Sequence, residues 1–556
     1  MKIIIVDDER LGVRQFQMEA ESVIGTENAG AFTNPEEALE YAKENPVEAA
    51  FLDIEMPIMN GLVLAQKLRE IIPGIVIIFV TGYEQYAMDA FRIKADFYLT
   101  KPYDRKDIAE AIERATGEDY MAFLTGLGLF PVRDEAGNVM ADCPATPGRE
   151  GEPLLILQGH MDMVCAVSPG SGFDPLADPV TILEQDGYLC TDRRSSLGAD
   201  NGLGNAAALW VLSRGVRHGP LRLIFTVEEE IGLEGAKAVD PAWLAGAAYL
   251  LNTDGFHLGR AIVGSAGGRR ERWVRPLETC PARSGEAWRL SLTGGTGGHS
   301  GDDIHLGRIN PIKVLAAYLK DRPGLAVADF AGGSAFNAIP AAAEVVVMGQ
   351  KPDLSGLEDA LLPFRATDPN LKLDLSPAPR PEAVWQPDFC RDVLGLLAAL
   401  GHGVYGMDPQ FPGVVGASAN LGVARREENT FAVRLFLRSA RQADEALMAA
   451  ENRALAEGAG FSLSVTGYPG WPGDKNNPLA QALDRVYRVQ TGRGLEVSAV
   501  HVGLEPAVFR AKAPELVMAS AGPDILDAHS VDERAPLAGL ADYALLLAGL
   551  LEEGLS

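Results

Sequence analysis

The sequence predicts an α/β protein in which two unrelated parts are joined. Two observations predict this fold class: apolar strand-like runs alternate with amphipathic helices across residues 1–115, and later apolar runs end in single polar residues. A third observation separates the parts, because residues 1–115 contain six Lys and six Arg, whereas the rest has seven Lys against 30 Arg. We therefore expect a parallel sheet covered on both faces in the first part, followed by a second α/β part.

The composition is that of an ordinary globular protein, with 47% hydrophobic and 22% charged residues. The formal charge of −27 argues against nucleic-acid binding, because phosphate contacts need clustered Lys and Arg. The run MKIIIVDDE stops at two acids, so we expect neither a signal peptide nor a membrane span. Five scattered cysteines without CxxC spacing fit a reducing compartment. These features predict a cytoplasmic protein.

Apolar runs in the first part predict strands that end at polar residues. The runs are IIIV at 3–6, AAFLD at 49–53, VIIFV at 76–80 and FYL at 97–99. The polar residues at or just beyond their ends are Asp7, Asp8, Asp53, Thr81 and Lys101. In a parallel sheet these groups converge at one edge, and three clustered carboxylates call for a cation such as Mg²⁺. Asp53 could then attack a phosphoryl group, with Thr81 and Lys101 stabilising the added charge.

The stretches VDDE, DIEMPIMNG, VTGYE and YLTKP closely resemble the receiver domain of two-component response regulators, over residues 1–116. The resemblance implies a doubly wound, five-stranded parallel sheet, with Asp53 as the phosphoacceptor and a sensor histidine kinase as the phosphodonor. It also implies Mg²⁺ binding by Asp7, Asp8, Asp53 and the Glu55 carbonyl, and a switch formed by Thr81, Tyr98 and Lys101. The alternative is that these acids merely solvate the strand ends.

Five residues with metal-ligand character lie in short motifs of the second part, and we expect each to follow an apolar strand-like run. They are His160 after LLILQG, Asp200 in LGADNGLG, Glu230 after LRLIFTV, Asp254 after AYLLN and His529 after ELVMASAG. Imidazole and carboxylate without thiolate suit catalytic zinc. Two His and three carboxylates fit two ions that share a carboxylate and a water. We expect two Zn²⁺ per chain, with Mn²⁺ or Co²⁺ as substitutes.

The motifs LQGHMDMV, LGADNGLG, TVEEEIGLEGA, LLNTD, YPGW, HVGLE and DAHSVDE resemble, in that order, the cytosol nonspecific dipeptidases, also called aminoacyl-histidine dipeptidases or peptidase D. These enzymes belong to the di-zinc aminoacylase and carboxypeptidase superfamily, and the resemblance covers about residues 119–556.

The resemblance implies a role for each residue of the site. Asp200 would bridge the two zinc ions, with His160 and Asp254 on one ion and Glu230 and His529 on the other. Asp162 would orient His160 and raise the basicity of its imidazole. Glu229 would be the general base, which takes a proton from the water and passes it to the leaving amine. Glu228 is left as a spare, and a one-residue shift of this alignment stays open.

Members of this family carry about forty further residues before the segment that matches YMAFLTGLG, and here the receiver stands in their place. We therefore expect the helix RKDIAEAIERA to run directly into the peptidase, and a hairpin to turn at residues 135–138. The hypothesis that follows is that the receiver covers the apolar surface of the replaced helix and so couples its switch to the peptidase.

Residues 284–465 form a second region, opened by WRLSLTGGTGGHSGDDIHLG. The resemblance implies an α+β lid, inserted into the α/β catalytic domain, that closes over substrate and supports a homodimer. His299 would stabilise the oxyanion, and Asn337 and Arg438 would bind the substrate's carboxylate or backbone. A phosphate-binding role for GGTGGHSG is weaker, because no P-loop Lys follows. The expected domains are a receiver at 1–116, a catalytic domain at 117–283 and 466–556, and a lid at 284–465.

The expected function is zinc-dependent hydrolysis of small peptides, namely unblocked dipeptides including Xaa-His, with the receiver as the candidate regulator. One alternative is a related deacylase or aminopeptidase. The other is a phosphorylation-responsive signalling protein whose peptidase part is an inactive scaffold. We expect neither nucleic acid nor membrane as a partner.

Overall fold

The computed structural model describes residues 2–9, 13–14, 16–17, 27–54, 56–72, 75–81, 97–100, 120–175 and 178–555. Their strands form sheets of five, eight and nine strands and three smaller sheets. Among these residues, no helix combines the length and apolarity that a membrane crossing requires.

The N-terminal sheet has five strands and is parallel throughout. Its strands are β1 Lys2–Val6, β2 Glu27–Phe32, β3 Ala49–Leu52, β4 Val76–Thr81 and β5 Phe97–Thr100. They lie in the order β2-β1-β3-β4-β5, and every neighbouring pair is parallel. The predicted five-stranded parallel sheet is confirmed.

Both faces of this sheet are covered. Helices Pro35–Glu44 and Gly61–Ile71 begin at asparagine caps and pack against a cluster that contains Ile4 and Leu52. On the opposite face Phe51 packs against Phe16, with ring centroids 4.5 Å apart. Successive residues of a strand face opposite sides, which explains why the strands are apolar runs without alternation.

The remaining strands are, in chain order, β6 Val132–Arg133, β7 Val139–Cys143, β8 Leu154–His160, β9 Ile182–Gln185, β10 Tyr188–Thr191, β11 Leu221–Thr226, β12 Ala247–Asn252, β13 Arg260–Ser265, β14 Gly267–Pro276, β15 Thr279–Pro281, β16 Ala287–Thr293, β17 Gly298–His299, β18 Ala326–Gly332, β19 Ala338–Ile339, β20 Ala343–Met348, β21 Lys372–Pro377, β22 Ala383–Trp385, β23 Gly403–Met407, β24 Val415–Glu427, β25 Thr430–Ser439, β26 Ser462–Tyr468, β27 Glu496–Val500, β28 Val517–Ser520 and β29 Ala535–Pro536. The helices of this part are Ala199–Ser213, Glu234–Ala238, Pro311–Lys320, Ser355–Leu361, Pro387–Ala399, Gln442–Gly458, Pro478–Thr491, Glu505–Lys512 and Leu537–Glu553.

The eight-stranded sheet has the order β27-β13-β28-β12-β8-β11-β7-β6. Its central strands β28, β12, β8 and β11 are parallel, so their carboxyl ends meet at one edge. Strands β6 and β7 pair as the predicted hairpin. The helical segment 120–126 belongs to the same core, because the Tyr120 ring packs against Phe225 at 4.8 Å and Leu124 is fully buried.

The nine-stranded sheet is antiparallel, with the order β21-β16-β20-β18-β24-β25-β14-β26 and with β23 paired to β24. It extends beyond the boundaries at 284 and 465 that the sequence suggested. Strand β14 starts at Gly267 and lies between β25 and β26, and β26 ends at Tyr468. Strand β14 was missed as part of this region because its run of charged residues lacks the apolar pattern of a sheet-core strand.

Candidate metal centre

Three parallel strands deliver metal-type side chains to the same edge of the eight-stranded sheet. His160 is the last residue of β8 and lies level with Thr226 of β11. Glu229 and Glu230 follow β11, and Asp254 follows β12. The strand-end arrangement was predicted from the apolar runs before these residues.

Asp200 differs from the expectation that every ligand follows an apolar strand. It lies at the start of helix Ala199–Ser213, after a loop, and the peptide bond between Asp200 and Asn201 is cis. His529 also lies in a loop, nine residues beyond the end of β28. Both loops reach the strand ends, because Asp200 contacts His160 at the end of β8 and His529 contacts Glu230 just beyond β11.

The Asp200 carboxylate lies between two histidines. Its Oδ1 is 3.0 Å from His160 Nε2, and its Oδ2 is 2.9 Å from His529 Nε2. His529 Nε2 is also 3.0 Å from Glu230 Oε1, and His160 Nε2 is 4.0 Å from Asp254 Oδ2. The five side chains therefore fall into two groups that share only Asp200.

These two groups have the spacing that a pair of ions needs. His160, Asp200 and Asp254 can place one ligand atom each within 4.8 Å of one another, and so can Asp200, Glu230 and His529. Asp254 Oδ1 is buried and has no hydrogen-bond partner among the described residues. An orphaned buried carboxylate oxygen beside imidazole nitrogens fits a cation. The chemistry of the donors fits Zn²⁺, Mn²⁺ or Co²⁺.

The ionisation of the site is strongly perturbed. Hydrogen bonds to Asp200 and Glu230 raise the pKa of His529 to about 10. Burial would raise the pKa of Asp200, but its contacts with His160 and His529 hold it well below its ordinary value. Burial, reinforced by the neighbouring Asp200, raises the pKa of Asp254 well above its usual range. Neighbouring carboxylates whose pKa values are shifted in opposite directions are typical of a functional site that holds positive charge.

Asp162 holds the segment that carries Glu229 and Glu230. Its Oδ1 accepts the Glu229 backbone N–H at 3.0 Å, and its Oδ2 accepts that of Glu230 at 3.1 Å. His160 Nδ1 lies closer to the Asp162 backbone oxygen, at 2.9 Å, than to its carboxylate, at 3.5 Å. The carboxylate therefore positions two neighbouring glutamates, and the imidazole is oriented mainly by a carbonyl.

Glu533 has the corresponding role for the Asp200 loop. Its carboxylate is 2% exposed and accepts the backbone N–H groups of Leu197, Gly198 and Asp200, at 2.8, 2.9 and 3.3 Å. The motif DAHSVDE contains both Glu533 and His529, but the sequence drew attention only to the histidine. Because its partners lie more than 300 residues away, sequence gave no sign of this role.

Glu229 lies beside the clustered metal-type side chains. It belongs to a group with His160 and Glu230, and it lines the same cavity as Asp200, Glu230, Asp254 and His529. Burial raises the pKa of Glu229 well above its ordinary value; His160 opposes the rise, and Asp254 and Glu505 add to it. A carboxyl whose pKa is raised in this way suits a group that accepts and returns a proton near neutral pH. Glu228 does not line the cavity.

A chain of buried hydrogen bonds links the four central strands beneath the site. Gln158 Nε2 donates to Thr226 Oγ1 at 3.1 Å and to Glu505 Oε2 at 2.5 Å. Asn252 donates to Gln158 Oε1 at 2.7 Å, and Ser520 donates to Asn252 Oδ1 at 2.6 Å. Burial raises the pKa of Glu505 to about 7. This network fixes the relative positions of the strands that carry the ligands.

The region opened by WRLSLTGGTGGHSGDDIHLG forms the other side of the cavity that contains the metal-type side chains. A cavity of about 810 Å³ is lined by Asp200, Glu229, Glu230, Asp254 and His529 on one side. On the other side it is lined by His299, Asp302, Phe336, Asn337, Phe436, Arg438 and Tyr468. The three lid residues predicted from sequence, His299, Asn337 and Arg438, therefore lie in the same cavity as the metal-type side chains.

Arg438 is a buried cation that forms no direct ion pair with the described residues. It is 3% exposed, and burial lowers its pKa. It donates to Ser300 Oγ at 3.3 Å and to the Tyr468 hydroxyl at 3.5 Å, and its Nη2 is 3.2 Å from His299 Nε2. His299 is held from its other side, because its Nδ1 is 2.8 Å from Asp302 Oδ2. A buried guanidinium without a bound carboxylate is suited to an anionic group of a ligand.

The edge of the N-terminal sheet gathers three carboxylates. Asp7 and Asp53 are buried, Asp8 is exposed, and each can place an oxygen within 4.8 Å of the others. This group fits the hard ligands that Mg²⁺ prefers. Thr81 is the last residue of β4, and Tyr98 lies in β5. Glu55 and Lys101 lie outside the described residues.

The sequence did not indicate all residues that line or support the cavity. Glu505 lies in the motif HVGLE and Tyr468 in YPGW, but neither was given a role. Arg270 also lines the cavity. The sequence feature that could have indicated Arg270 is the charged run RRERW directly after two glycines. Such a charged run is unusual for a strand that lies beside a cavity.

The chain matches two families. Residues 3–113 match the response regulator receiver domain, and residues 156–553 match Peptidase family M20/M25/M40. Within the receiver part, 114 residues are 32% identical to the transcriptional regulatory protein YpdB of Escherichia coli (strain K12), which covers 20% of this chain and 47% of that protein. The chain thus spans less than half of that regulator.

Similarity over the larger part is to dipeptidases. The cytosol non-specific dipeptidase of Escherichia coli (strain K12) is 33% identical over 440 residues, which covers 77% of this chain and 90% of that protein. The structure of aminoacylhistidine dipeptidase from Vibrio alginolyticus superposes with a TM-score of 0.71 at 30% identity, over 79% of this chain and 92% of that one.

Proposed function

The chain belongs to Peptidase family M20/M25/M40 and carries a response regulator receiver domain ahead of its peptidase part, and on this premise we propose that it is a two-metal dipeptidase. The similarity to dipeptidases supports a metallopeptidase. The proposed substrates are unblocked dipeptides, including Xaa-His. The proposed reaction is addition of water to the peptide carbonyl, with Glu229 as the general base.

One observation carries this proposal: each oxygen of the Asp200 carboxylate lies within 3.0 Å of a different histidine. A carboxylate shared in this way is the natural bridge between two ions. We propose two Zn²⁺, with Mn²⁺ or Co²⁺ as substitutes, held by His160 and Asp254 on one side and by Glu230 and His529 on the other. When bound, such a pair polarises water and the peptide carbonyl.

The chain's own residues then move the proton and hold the substrate. Glu229 accepts a proton from the attacking water and returns it to the amine nitrogen as the peptide C–N bond breaks, which leaves a carboxylate and a free amine. His299 donates to the oxyanion that develops at the former carbonyl oxygen. Arg438 binds the C-terminal carboxylate, and Asn337 binds the substrate backbone.

The test is hydrolysis of a panel by the metal-loaded full-length chain, with Ala-His, Ala-Ala, N-acetyl-Ala and a tripeptide. We expect turnover of the dipeptides and a loss of at least about 100-fold in Glu229→Gln, with the metal content unchanged at two ions per chain. Glu228→Gln is the matched control and should keep its turnover. If Glu228→Gln loses activity instead, the base is the neighbouring glutamate.

The same panel separates the other functions. A clear preference for N-acetyl-Ala would favour a deacylase, and a preference for the tripeptide would favour an aminopeptidase. Folded protein that binds two ions per chain and hydrolyses nothing would contradict the dipeptidase proposal and favour a signalling scaffold.

We propose that the receiver accepts a phosphoryl group on Asp53 from a sensor histidine kinase, with Mg²⁺ bound by Asp7, Asp8, Asp53 and the Glu55 carbonyl and with Thr81, Tyr98 and Lys101 as the switch. The three clustered carboxylates support this. We further propose that phosphorylation changes the peptidase rate. Identical dipeptidase rates before and after treatment with a small phosphodonor, in protein shown to be phosphorylated on Asp53, would exclude this coupling.

We also propose a homodimer. Strand β23 pairs only with β24 among the described residues, and it exposes Val404, Tyr405 and Met407 by 40, 46 and 49%. An apolar edge strand is a ready surface for a second copy. Light scattering of the wild type and of Tyr405→Glu tests this.

Sheet membership further supports a division into a receiver at 1–116, a catalytic domain at 117–266 and 469–556, and a lid at 267–468.

A further inference from the structure

Arg270 is a second cation in the active-site cavity. It lies on β14, where it pairs with Phe436 of β25, and Gly268 of the same strand pairs with Arg438. Residues two apart on a strand share a face, so Arg270 and Arg438 project from the same side of the sheet into the cavity. A Cβ at Gly268 would lie 2.7 Å from the Phe436 ring, so the missing side chain makes room there.

The guanidinium of Arg270 forms no ion pair with any residue that the structure describes. The other arginines of β14 each pair with a carboxylate: Arg269 with Glu271 at 2.8 Å, Arg272 with Glu427 at 2.7 Å and Arg275 with Glu278 at 2.7 Å. For Arg270 the described residues provide no ion pair, and its buried Nε has no hydrogen-bond partner. Its recorded contacts are aromatic, with Cζ 4.5 Å from the centroid of Phe336.

The position of Arg270 relates it to both the ligands and Arg438. Arg270 and Arg438 both lie near the Phe436 ring, with Cζ atoms 6.0 and 4.3 Å from its centroid. A Cβ at Gly232, two residues after Glu230, would lie 3.4 Å from Arg270 Nη2. Stacking on the rings leaves the N–H edge of a guanidinium available for two parallel hydrogen bonds to a carboxylate.

We infer that Arg270 binds the side-chain carboxylate of an acidic residue at the C-terminal position of the substrate. The inference rests on the proposed dipeptidase function. Since Arg438 holds the main-chain carboxylate of the C-terminal residue and shares a ring with Arg270, the side chain of that same residue can reach Arg270. The enzyme therefore prefers Xaa-Glu and Xaa-Asp to their amide counterparts, which have the same shape without the charge.

The test compares kcat and KM for Ala-Glu and Ala-Gln, and for Ala-Asp and Ala-Asn. In the wild type we expect kcat/KM for the better of the two acidic substrates to exceed that for its amide counterpart by about tenfold or more, mainly through a lower KM. In Arg270→Gln the ratio should fall to about one, and Arg270→Lys should restore part of it. Arg272→Gln, an exposed arginine on the same strand that does not line the cavity, is the matched control and should keep the wild-type ratio.

A purely structural role of Arg270 would change both substrates equally and leave the ratio in place, which would overturn the inference. A wild-type ratio near one would also overturn it. To separate this from failure of the proposed function, binding of Ala-Glu and Ala-Gln is measured by calorimetry on metal-loaded Glu229→Gln. Tighter binding of Ala-Glu that depends on Arg270 supports the inference even if no dipeptide is hydrolysed, and equal binding contradicts it.

Discussion

Asp162 and Glu533 show how the ligand-bearing backbone is held in position. Both use carboxylate oxygens to accept backbone N–H groups, Asp162 from Glu229 and Glu230 and Glu533 from the loop that contains Asp200. A charged acceptor makes these hydrogen bonds stronger than neutral ones. The geometry of the site therefore depends on acids that need not touch a metal.

We predict that Asp162→Asn lowers kcat and weakens metal affinity, each by about 10- to 100-fold. The amide keeps one acceptor but turns an NH₂ group toward a backbone N–H, which displaces Glu229 or Glu230. Asp240→Asn is the control, since Asp240 caps a short helix through Ala242 and is exposed. Kinetics and metal titration measure the effect; unchanged metal affinity in Asp162→Asn would show that its two hydrogen bonds do not position Glu230.

At this scale the sequence predicted residue types better than contacts. His160, Asp200, Glu230, Asp254 and His529 could be singled out because each lies in a distinctive motif, and the structure brings them together. Their roles stay predictions. The use of the Asp162 carboxylate could not be foreseen, because its partners lie 67 and 68 residues along the chain. The same holds for Arg270, because only the fold shows that it forms no ion pair within the described part of the chain.

Among the elements, helix Pro311–Lys320 has a pH-sensitive start. Its cap Asn310 accepts from Ile312 N and Lys313 N and donates from Nδ2 to His402 Nδ1 at 3.1 Å. Burial, aided by Lys313, lowers the pKa of His402 to about 4. If His402 Nδ1 were protonated, its N–H would face the N–H of Asn310 Nδ2, and neither group could accept a hydrogen bond. The folded protein therefore favours the neutral imidazole.

We predict that this histidine destabilises the lid in mild acid. Because the folded pKa of His402 lies below the unfolded value of about 6.5, its contribution is fully present above pH 6.5 and is lost as pH falls toward 4, by at most about 3 kcal/mol. The Tm of the wild type should therefore fall more steeply between pH 7 and 5 than that of His402→Gln. Parallel curves for the two proteins would rule out His402 as the source.

In the receiver, the structure leaves no room for a side chain at Gly61. A Cβ at Gly61 would collide with the backbone oxygen of Asp53. We predict that Gly61→Ala displaces Asp53 and weakens Mg²⁺-dependent phosphorylation by about tenfold or more. Labelling with a small phosphodonor measures it. Gly126→Ala, where a Cβ meets nothing within 4 Å, should be labelled like the wild type.

Elements with apolar runs were the easiest to predict. The strands β1, β3, β4 and β5 and the four central strands of the eight-stranded sheet all appear where such runs predicted them. Strand β14 was missed because charged residues occupy it, and its pairing with β25 and β26 depends on segments more than 150 residues away. Long-range pairing leaves no local sequence pattern.

For the whole molecule, the metal centre should contribute to stability. Asp200, Glu230 and Asp254 hold three carboxylates together, and a bound cation relieves their repulsion. We predict that a chelator lowers the Tm of the peptidase part by several degrees, because ligand binding to the folded state alone stabilises it. Calorimetry measures it. The double variant His160→Ala/His529→Ala should show no response to the chelator; an equal response there would place the relevant metal elsewhere.

The sharing of Asp200 between two histidines has a consequence for how the protein is made. The ligands extend from His160 to His529, with the whole nine-stranded sheet between them. A growing chain on the ribosome therefore has no complete site until His529 has emerged, although the N-terminal sheet can already fold. The receiver segment therefore leaves the ribosome before all of the residues that we propose as metal ligands have been synthesised.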